Sequence, residues 1–375
     1  MRRSGELVAR LPRRRPGRSR RADGSSAAAR PLRRAFALAC GAATLGLACG
    51  EREPAPRGGE SASPPERRLV EPEWQLLWQV GGTLQDTLLA NAARIAADGT
   101  GVTLVDFRAG RVLRFTAAGD LLWSYGRRGR GPDELARPRD LKLDPHGRAW
   151  ILDVENARLV VLSPEGRRVA RISLEEVGYP PDDFVPLEDG GAVLLVLEPE
   201  HPIIRVDAAG RIVERRAFPW SGYSALHPLA SQLITGNDPT SHRWVAAFQV
   251  GDGFFAFDGP RWLGTHAHFV EPIPFPAVEV HRSGSRFGRS ERVTTLAEPE
   301  FSASSVALSP DRLYVLFTGR TAHKDRLIDT YDPSTGEYVE SLLLPRPVAH
   351  IAYGAGTLYA TYSDPYPTLV AWRAR

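Results

Sequence analysis

Cysteine is almost missing from this chain. Two occur in 375 residues, Cys40 and Cys49. No disulfide can form beyond residue 49, so the rest of the chain must be held by its own core. Lysine is equally scarce. Lys142 and Lys324 are the only two, and arginine carries nearly all the positive charge. The apolar run from Ala35 to Ala48 has 14 residues, short of the ~20 that a membrane-spanning helix needs. No Gly-x-Ser-x-Gly elbow occurs, which excludes that class of nucleophile. Helical periodicity is almost absent after residue 73. The formal charge of +4 is unevenly placed. Residues 1–48 hold 12 of the 48 Lys+Arg and 2 of the 44 Asp+Glu, which leaves 36 and 42 for residues 49–375, a net charge of −6. An acidic body of this kind excludes nucleic-acid binding driven by bulk charge.

What is present at the N-terminus reads as an export signal. Arg33 and Arg34 directly precede the apolar run, as in a signal-peptide h-region. The run ends in LGLACGERE, with Ala48 before Cys49. This resembles the bacterial lipoprotein signal, which implies cleavage before Cys49 and lipidation of its thiol. Cys40, in ALACG, is a second match placed early in the run. RRAFAL also resembles a twin-arginine export signal, so the general and twin-arginine routes both stay open. The alternative is a cytoplasmic protein with an Ala-rich N-terminal helix. The segment 50–73 is Pro, Gly, Ser and charge and cannot bury a core. As a flexible coil it spans roughly 25–30 Å. The expected plan is a leader over 1–48, a lipidated cysteine and tether over 49–72, and one folded domain over 73–375. The expected address is the cell envelope, with the membrane as a partner through the lipid anchor.

The folded domain is repetitive. RIAADGTGVTLVDFRAGRVLRFTAAGDLLWSYG (94–126) and DLKLDPHGRAWILDVENARLVVLSPEGRRVARISL (140–174) share one pattern. Each reads as strand, polar turn, strand ending in Asp, short loop, Arg-led strand, Gly turn, strand. Asp106 and Arg111 in the first unit match Asp153 and Arg158 in the second, both five apart. Weaker units follow over 184–218, 231–269, 304–344 and 349–374. Gly119, Gly166, Gly210, Gly259 and Gly336 mark the turns between third and fourth strands, with gaps of 47, 44, 49 and 77. The last gap is one repeat plus an insertion placed at 271–300. The sixth unit runs out after three strands, and EWQLLWQVG (73–81) is the free donor of a fourth. The fold class expected is all-β: a single six-bladed β-propeller of four-stranded antiparallel blades, with an N-terminal strand closing the last blade.

The first two units resemble NHL-type repeats. The residues that carry the resemblance are Asp106, Arg111, Gly119, Gly126, Gly129, Pro132, Pro138, Asp144, Gly147, Asp153, Asn156, Arg158 and Gly166. They cover about a quarter of the chain, and units three to six share only the blade pattern. The resemblance implies an exported, lipidated propeller rather than an activity. Asp106–Arg111 and Asp153–Arg158 are then expected as structural pairs that fix the blade turns.

YGRRGRGPDELARP (125–138) links the first two units. A dinucleotide loop needs Gly-x-Gly-x-x-Gly between a strand and a helix. Here the order is Gly126, Gly129, Gly131 and a strand follows, which argues against a phosphate cradle. The long connections (126–139, 219–228, 271–300, 318–326 and 363–367) fall at one end of the blades, and the short turns at the other. Arg127, Arg128, Arg130, Arg282, Arg286, Arg289, Arg320 and Lys324 would form a positive rim there on an acidic body. For metal, the weak candidates are His266 and His268, two apart on a strand, and His350 on the innermost strand of the sixth blade.

Two function classes follow. The first is a non-catalytic binding module without a cofactor, taking a protein, a glycan or a small anionic ligand on its long-loop face and acting as a monomeric domain. The second is a propeller lyase or hydrolase with a metal ion in the central channel. Three or more His, Asp or Glu side chains converging at one channel mouth would favour the enzyme. A channel lined by small and apolar residues would favour the module.

Overall fold

A computed structural model describes residues 66–375, apart from 92, 199, 285–289 and 297–298. Its strands form six four-stranded antiparallel sheets arranged as a propeller. Blade 1 holds Ile95–Asp98, Gly101–Asp106, Arg111–Thr116 and Leu121–Tyr125. Blade 2 holds Pro138–Leu143, Ala149–Asp153, Arg158–Leu162 and Arg168–Ser173. Blade 3 holds Pro181–Pro186, Ala192–Val196, Ile203–Val206 and Ile212–Arg216. Blade 4 holds Leu233–Asn237, Arg243–Phe248, Phe254–Asp258 and Arg261–Ala267. Blade 5 holds Ala303–Leu308, Leu313–Phe317, Leu327–Tyr331 and Tyr338–Leu343. Blade 6 holds His350–Gly354, Thr357–Tyr362 and Thr368–Ala374, and Trp74–Gly81 completes it. The closing strand pairs antiparallel from Trp74↔Ala374 to Gly81↔Thr368. Among the described residues the only helical pieces are four three-residue 3-10 turns.

Burial explains the strand types. Second strands such as Gly101–Asp106, Ala149–Asp153 and Ala192–Val196 are buried along their whole length. A strand covered on both faces needs a nearly continuous apolar run. Outer strands are exposed in part, and Leu121–Tyr125 and Ile212–Arg216 mix apolar and polar residues. Six hydrophobic clusters form the core, one in each seam between neighbouring blades.

Five seams carry an additional lock on the third turn of the following blade. Trp78 of blade 6 donates its indole N–H to Ala117 O at 2.8 Å, and Trp123 of blade 1 donates to Pro164 O at 2.8 Å. Gly119 and Gly166 complete these turns with φ of 95° and 79°. A Cβ added to either would lie within 2.8 Å of the packed indole, so glycine is required for both conformation and space. A Cβ on Gly210 of blade 3 would likewise lie 2.1 Å from the Ser173 carbonyl oxygen of blade 2. Arg216 of blade 3 donates to Pro260 O at 2.6 Å, and Thr265 of blade 4 to Ser334 O at 3.0 Å. The seam between blades 5 and 6 has no such lock. Blade 6 has no third turn, because its fourth strand is the distant Trp74–Gly81.

One boundary changes. Residues 66–72, expected in the tether, lie on the propeller. Leu69–Val70 forms a fifth strand parallel to Tyr338–Leu343 of blade 5. Arg67 explains why. Its guanidinium grips the buried Asp329 at 2.8 and 3.2 Å, reaches Glu271 at 2.7 Å and lies 4.9 Å over the Phe317 ring. Burial pushes the Asp329 carboxyl up, and Arg67 opposes that shift. The charge of the blade therefore fixes a segment that composition alone marks as unstructured. The insertion placed at 271–300 forms a hairpin of Val278–Gly284 and Ser290–Leu296.

Candidate functional site

The innermost strand of blade 2 reads Pro-Arg-Asp-Leu-Lys-Leu. Its alternation sends Asp140 and Lys142 to the same face, into the axis of the ring. Side chains from the innermost strands of blades 1, 2, 4, 5 and 6 line this axis, and Asp183 of blade 3 joins them. Lys142 contacts Asp140, and its ammonium lies 3.1 Å from Asp183 Oδ1. Thr235 of blade 4 caps Asp183 twice, from its hydroxyl at 2.6 Å and its amide at 2.9 Å. Arg94, just before blade 1, lies 3.9 Å from Asp140, and its Nη1 is 3.4 Å from His350 Nδ1. Deeper along the axis, Asn237 of blade 4 donates to Leu143 O of blade 2 at 2.7 Å.

Electrostatics sorts these groups. Burial and the neighbouring Asp183 push the Asp140 carboxyl up to about 6, although Lys142 opposes it. Burial acts on Asp183 too, but Lys142 and Thr235 overcome it and hold that carboxyl below its usual range. Burial alone would weaken the Lys142 ammonium, and the two carboxylates raise its pKa instead. Burial and the Arg94 charge keep His350 neutral, well below the usual histidine range. Two cations and two carboxylates thus balance at the axis. The cavity they leave is about 50 Å³, room for only a few waters.

This channel matches neither sequence alternative. It is charged rather than small and apolar. It does not fit a metal ion either, because Lys142 already sits between the two carboxylates that a metal would need, and Thr235 holds one of them. Among the described residues the one group of His, Asp or Glu within common ligand reach is Glu198, Glu200 and His201. It lies far from the axis, on the second loop of blade 3, where Glu198 caps the His201 amide at 2.8 Å.

The other singled-out residues fall elsewhere. Asp106 accepts the amides of Ala90 and Asn91 at 2.9 and 3.1 Å, with Arg111 at 3.5 Å. Asp153 accepts the amides of Ala136 and Arg137 at 3.1 and 2.9 Å, with Arg158 at 3.2 Å. Both pairs tie a blade to the link that enters it. His266 stacks on Phe255 at 4.4 Å, and His268 contacts Asp252 at 2.6 Å. Both lie at the outer strand of blade 4, away from the channel. Burial, then the neighbouring His268, pushes His266 down. His350 lines the channel. Cys49 lies outside the described residues.

The arginine-rich link is folded by its own acids. Arg127 pairs with Glu134 at 2.8 Å, and Arg130 with Glu155 at 3.0 Å. The Glu134 carboxylate turns back onto the Gly131 amide at 2.8 Å. A Cβ at Gly129 would lie 2.1 Å from that carboxylate, which would have to swing aside. The carbonyls of Gly129 and Gly131 accept from Asn156 and Arg158, each at 3.3 Å. A phosphate cradle presents amides, and this loop presents carbonyls inward. Arg320 pairs with Glu300 at 2.6 Å. Arg128 and Lys324 are exposed and form no ion pair among the described residues. The side chains of Arg282, Arg286 and Arg289 are outside the described set.

The channel cluster had one legible signal, the alternating charges of Asp140, Lys142 and Asp144 on an innermost strand. Asp183, Thr235 and Arg94 had none, since only the ring brings four blades together.

No protein-family model and no curated protein matches the chain. Solved structures do. A putative exported protein from Bacteroides fragilis has a TM-score of 0.50 at 11% identity, covering 82% of this chain and 99% of that one. A member of the duf4221 family from Bacteroides vulgatus has a TM-score of 0.50 at 10% identity, covering 81% and 98%. Virginiamycin B lyase from Staphylococcus aureus has a TM-score of 0.48 at 12% identity, covering 81% and 100%. What the chain shares with these proteins is the fold, a six-bladed β-propeller.

Proposed function

We propose that this chain is an exported, membrane-tethered recognition propeller of NHL-like type, without catalysis of its own. The observation that carries the reading is Lys142 between Asp140 and Asp183. The side chains that could hold a metal or activate a substrate at the axis are consumed by one another. The axis then serves as a polar hub that joins the blades, and recognition falls to the surface loops. Lipidation of Cys49 tethers the domain to its membrane.

The face with the blade-to-blade links is the better candidate surface. Arg128 is exposed and forms no ion pair among the described residues, and Lys324 is exposed beside Asp325, whose raised carboxyl its charge only partly offsets. An anionic partner, such as a charged glycan, suits these exposed cations on an otherwise acidic body. The test uses immobilised heparin as an anionic probe. Arg128→Ser with Lys324→Ser should elute at clearly lower salt than the parent. Arg127→Ser with Arg130→Ser should shift little, because Glu134 and Glu155 already neutralise those two. Equal shifts for both pairs, or no retention of the parent, would reject the anionic reading. The anchor has its own test: Cys49→Ala should leave the membrane fraction, and continued lipid labelling of that variant overturns it.

A further inference from the structure

The arginines of the blade-to-blade links differ in what they meet. Arg127 and Arg130 are paired with carboxylates. Arg346, in the link from blade 5 to blade 6, is not. Its guanidinium carbon lies 3.6 Å from the centre of the Tyr362 ring. It makes a single hydrogen bond, to the Asp364 carbonyl oxygen at 2.6 Å. No carboxylate pairs with it among the described residues, and its Nε is buried without an acceptor. An aromatic face and a carbonyl thus hold the guanidinium in place and leave its charge without a counter-ion.

Arg346 and Tyr362 border a pocket of about 400 Å³ where blades 5 and 6 meet. The pocket lies at the link end of the ring, since 346–349 belongs to the link itself and 362–364 leads into the second loop of blade 6. Asp325 of blade 5 borders it as well. Burial pushes the Asp325 carboxyl up, Lys324 opposes that shift, and no donor among the described residues bonds to it. Pro347 and Ala349 add apolar surface, and Ser363 adds a hydroxyl. All three are exposed, so the pocket is open to solvent.

We propose that this pocket binds one hexuronic acid unit of an acidic glycan. The proposal rests on the anionic reading of the link face and names the sugar that this face would read. The sugar carboxylate would meet Arg346, because a held guanidinium selects a planar anion by two parallel hydrogen bonds. The ring hydroxyls would donate to Asp325 and share a hydrogen bond with Ser363. The C–H face of the ring would cover Pro347 and Ala349. The volume lies within the range of small-molecule sites, and the open side lets a glycan chain continue over the face. A free amino acid is the competing ligand, with its ammonium at Asp325 in place of the hydroxyls.

Ligand-observed NMR titration of the protein with galacturonate, galactose and alanine tests this. The parent should bind galacturonate more tightly than either of the others. Arg346→Gln should weaken galacturonate about tenfold, the scale of a lost charge-assisted contact, and leave galactose unchanged. Asp325→Asn should weaken both sugars. If Arg346→Gln melts early, Arg346→Lys decides, since it keeps the charge and loses the fork, and galacturonate should still weaken. Arg128→Ser should lower heparin retention and leave galacturonate binding as it was. Heparin retention through Arg128 and Lys324 with no galacturonate binding at millimolar concentration would overturn the pocket and leave the wider surface standing. Galacturonate binding that depends on Arg346, without heparin retention, would do the reverse. An affinity that neither Arg346 variant changes, or tighter binding of alanine, would also overturn the proposal.

Discussion

The sixth seam of this ring differs from the other five. At those, one blade leans on the third turn of the next, through Trp78, Trp123, Ser173, Arg216 and Thr265. At the sixth, closure by a distant strand satisfies the ladder but leaves no turn to lean on. Backbone pairing and seam packing are therefore separate requirements. The N-terminal strand meets the second toward blade 1, through Trp78, and toward blade 5 by one indole bond, Trp74 to Leu343 O at 2.7 Å, rather than by a turn. The chain strengthens blade 5 in another way, with a fifth strand and Arg67 on its far face.

Removing the closing strand Trp74–Gly81 gives the largest expected effect. It strips a whole ladder and part of two seams, a loss of several kcal/mol, enough to unfold a domain of ordinary stability. Deleting 50–65 should leave the melting temperature unchanged. Matching melts for the two deletions would show that closure contributes nothing.

Next in size is Arg67→Ala. It leaves the buried Asp329 carboxylate without its guanidinium, which costs about 3–5 kcal/mol for a broken buried pair. Arg67→Ala with Asp329→Asn should recover part of that loss. Denaturant titration of the three variants measures it, and a parent-like midpoint for Arg67→Ala would remove Arg67 from the account.

The comparison of seams sharpens with two truncations. Trp123→Ala, at a locked seam, should cost about 2 kcal/mol, less than a fully buried indole because it is partly exposed. Leu342→Ala, beside an opening of about 370 Å³ between blades 5 and 6, should cost under about 1 kcal/mol, because neighbours are already missing on one side. Equal costs would mean that the sixth seam is packed as well as the rest.

The smallest effect is on pH dependence, and its sign differs between two residues. Asp140 titrates higher in the fold than in the unfolded chain, so it binds a proton first when folded and adds stability on acidification from about 6 downward. His350 titrates lower in the fold, so the unfolded chain takes up its proton first and stability is lost as pH falls below about 6.5. Asp140→Asn should steepen the loss of stability between about pH 6.5 and 4, and His350→Gln should flatten it. Melting curves across that window would show whether the two slopes move in opposite directions.

Much of the ring is legible in the chain itself. The Asp-x4-Arg spacing and the turn glycines mark blades 1 and 2 directly, because each reports a local hydrogen-bond requirement. Blades 3 to 6 follow from strand length and turn period, and the missing strand of blade 6 points to residues 73–81. What local pattern does not carry is anything made by two blades at once. Lys142 reads as an ordinary strand residue until Asp183 and Thr235 are placed beside it. Arg67 reads as part of a charged, Pro-rich stretch, and only the buried Asp329, some 260 residues later, gives it a position.

The closing strand also has a consequence in time. Its partners lie between 287 and 300 residues downstream, from Gly81↔Thr368 to Trp74↔Ala374. It is the first strand of the ring to be synthesised and the last to find its ladder. Contacts of such separation are slow to form, because the intervening chain must be ordered first. Until the final seven residues of strand arrive, two sheet edges stay open to other chains. A truncation within Thr368–Ala374 should therefore act like loss of Trp74–Gly81, because the two strands form one ladder and share one point of failure.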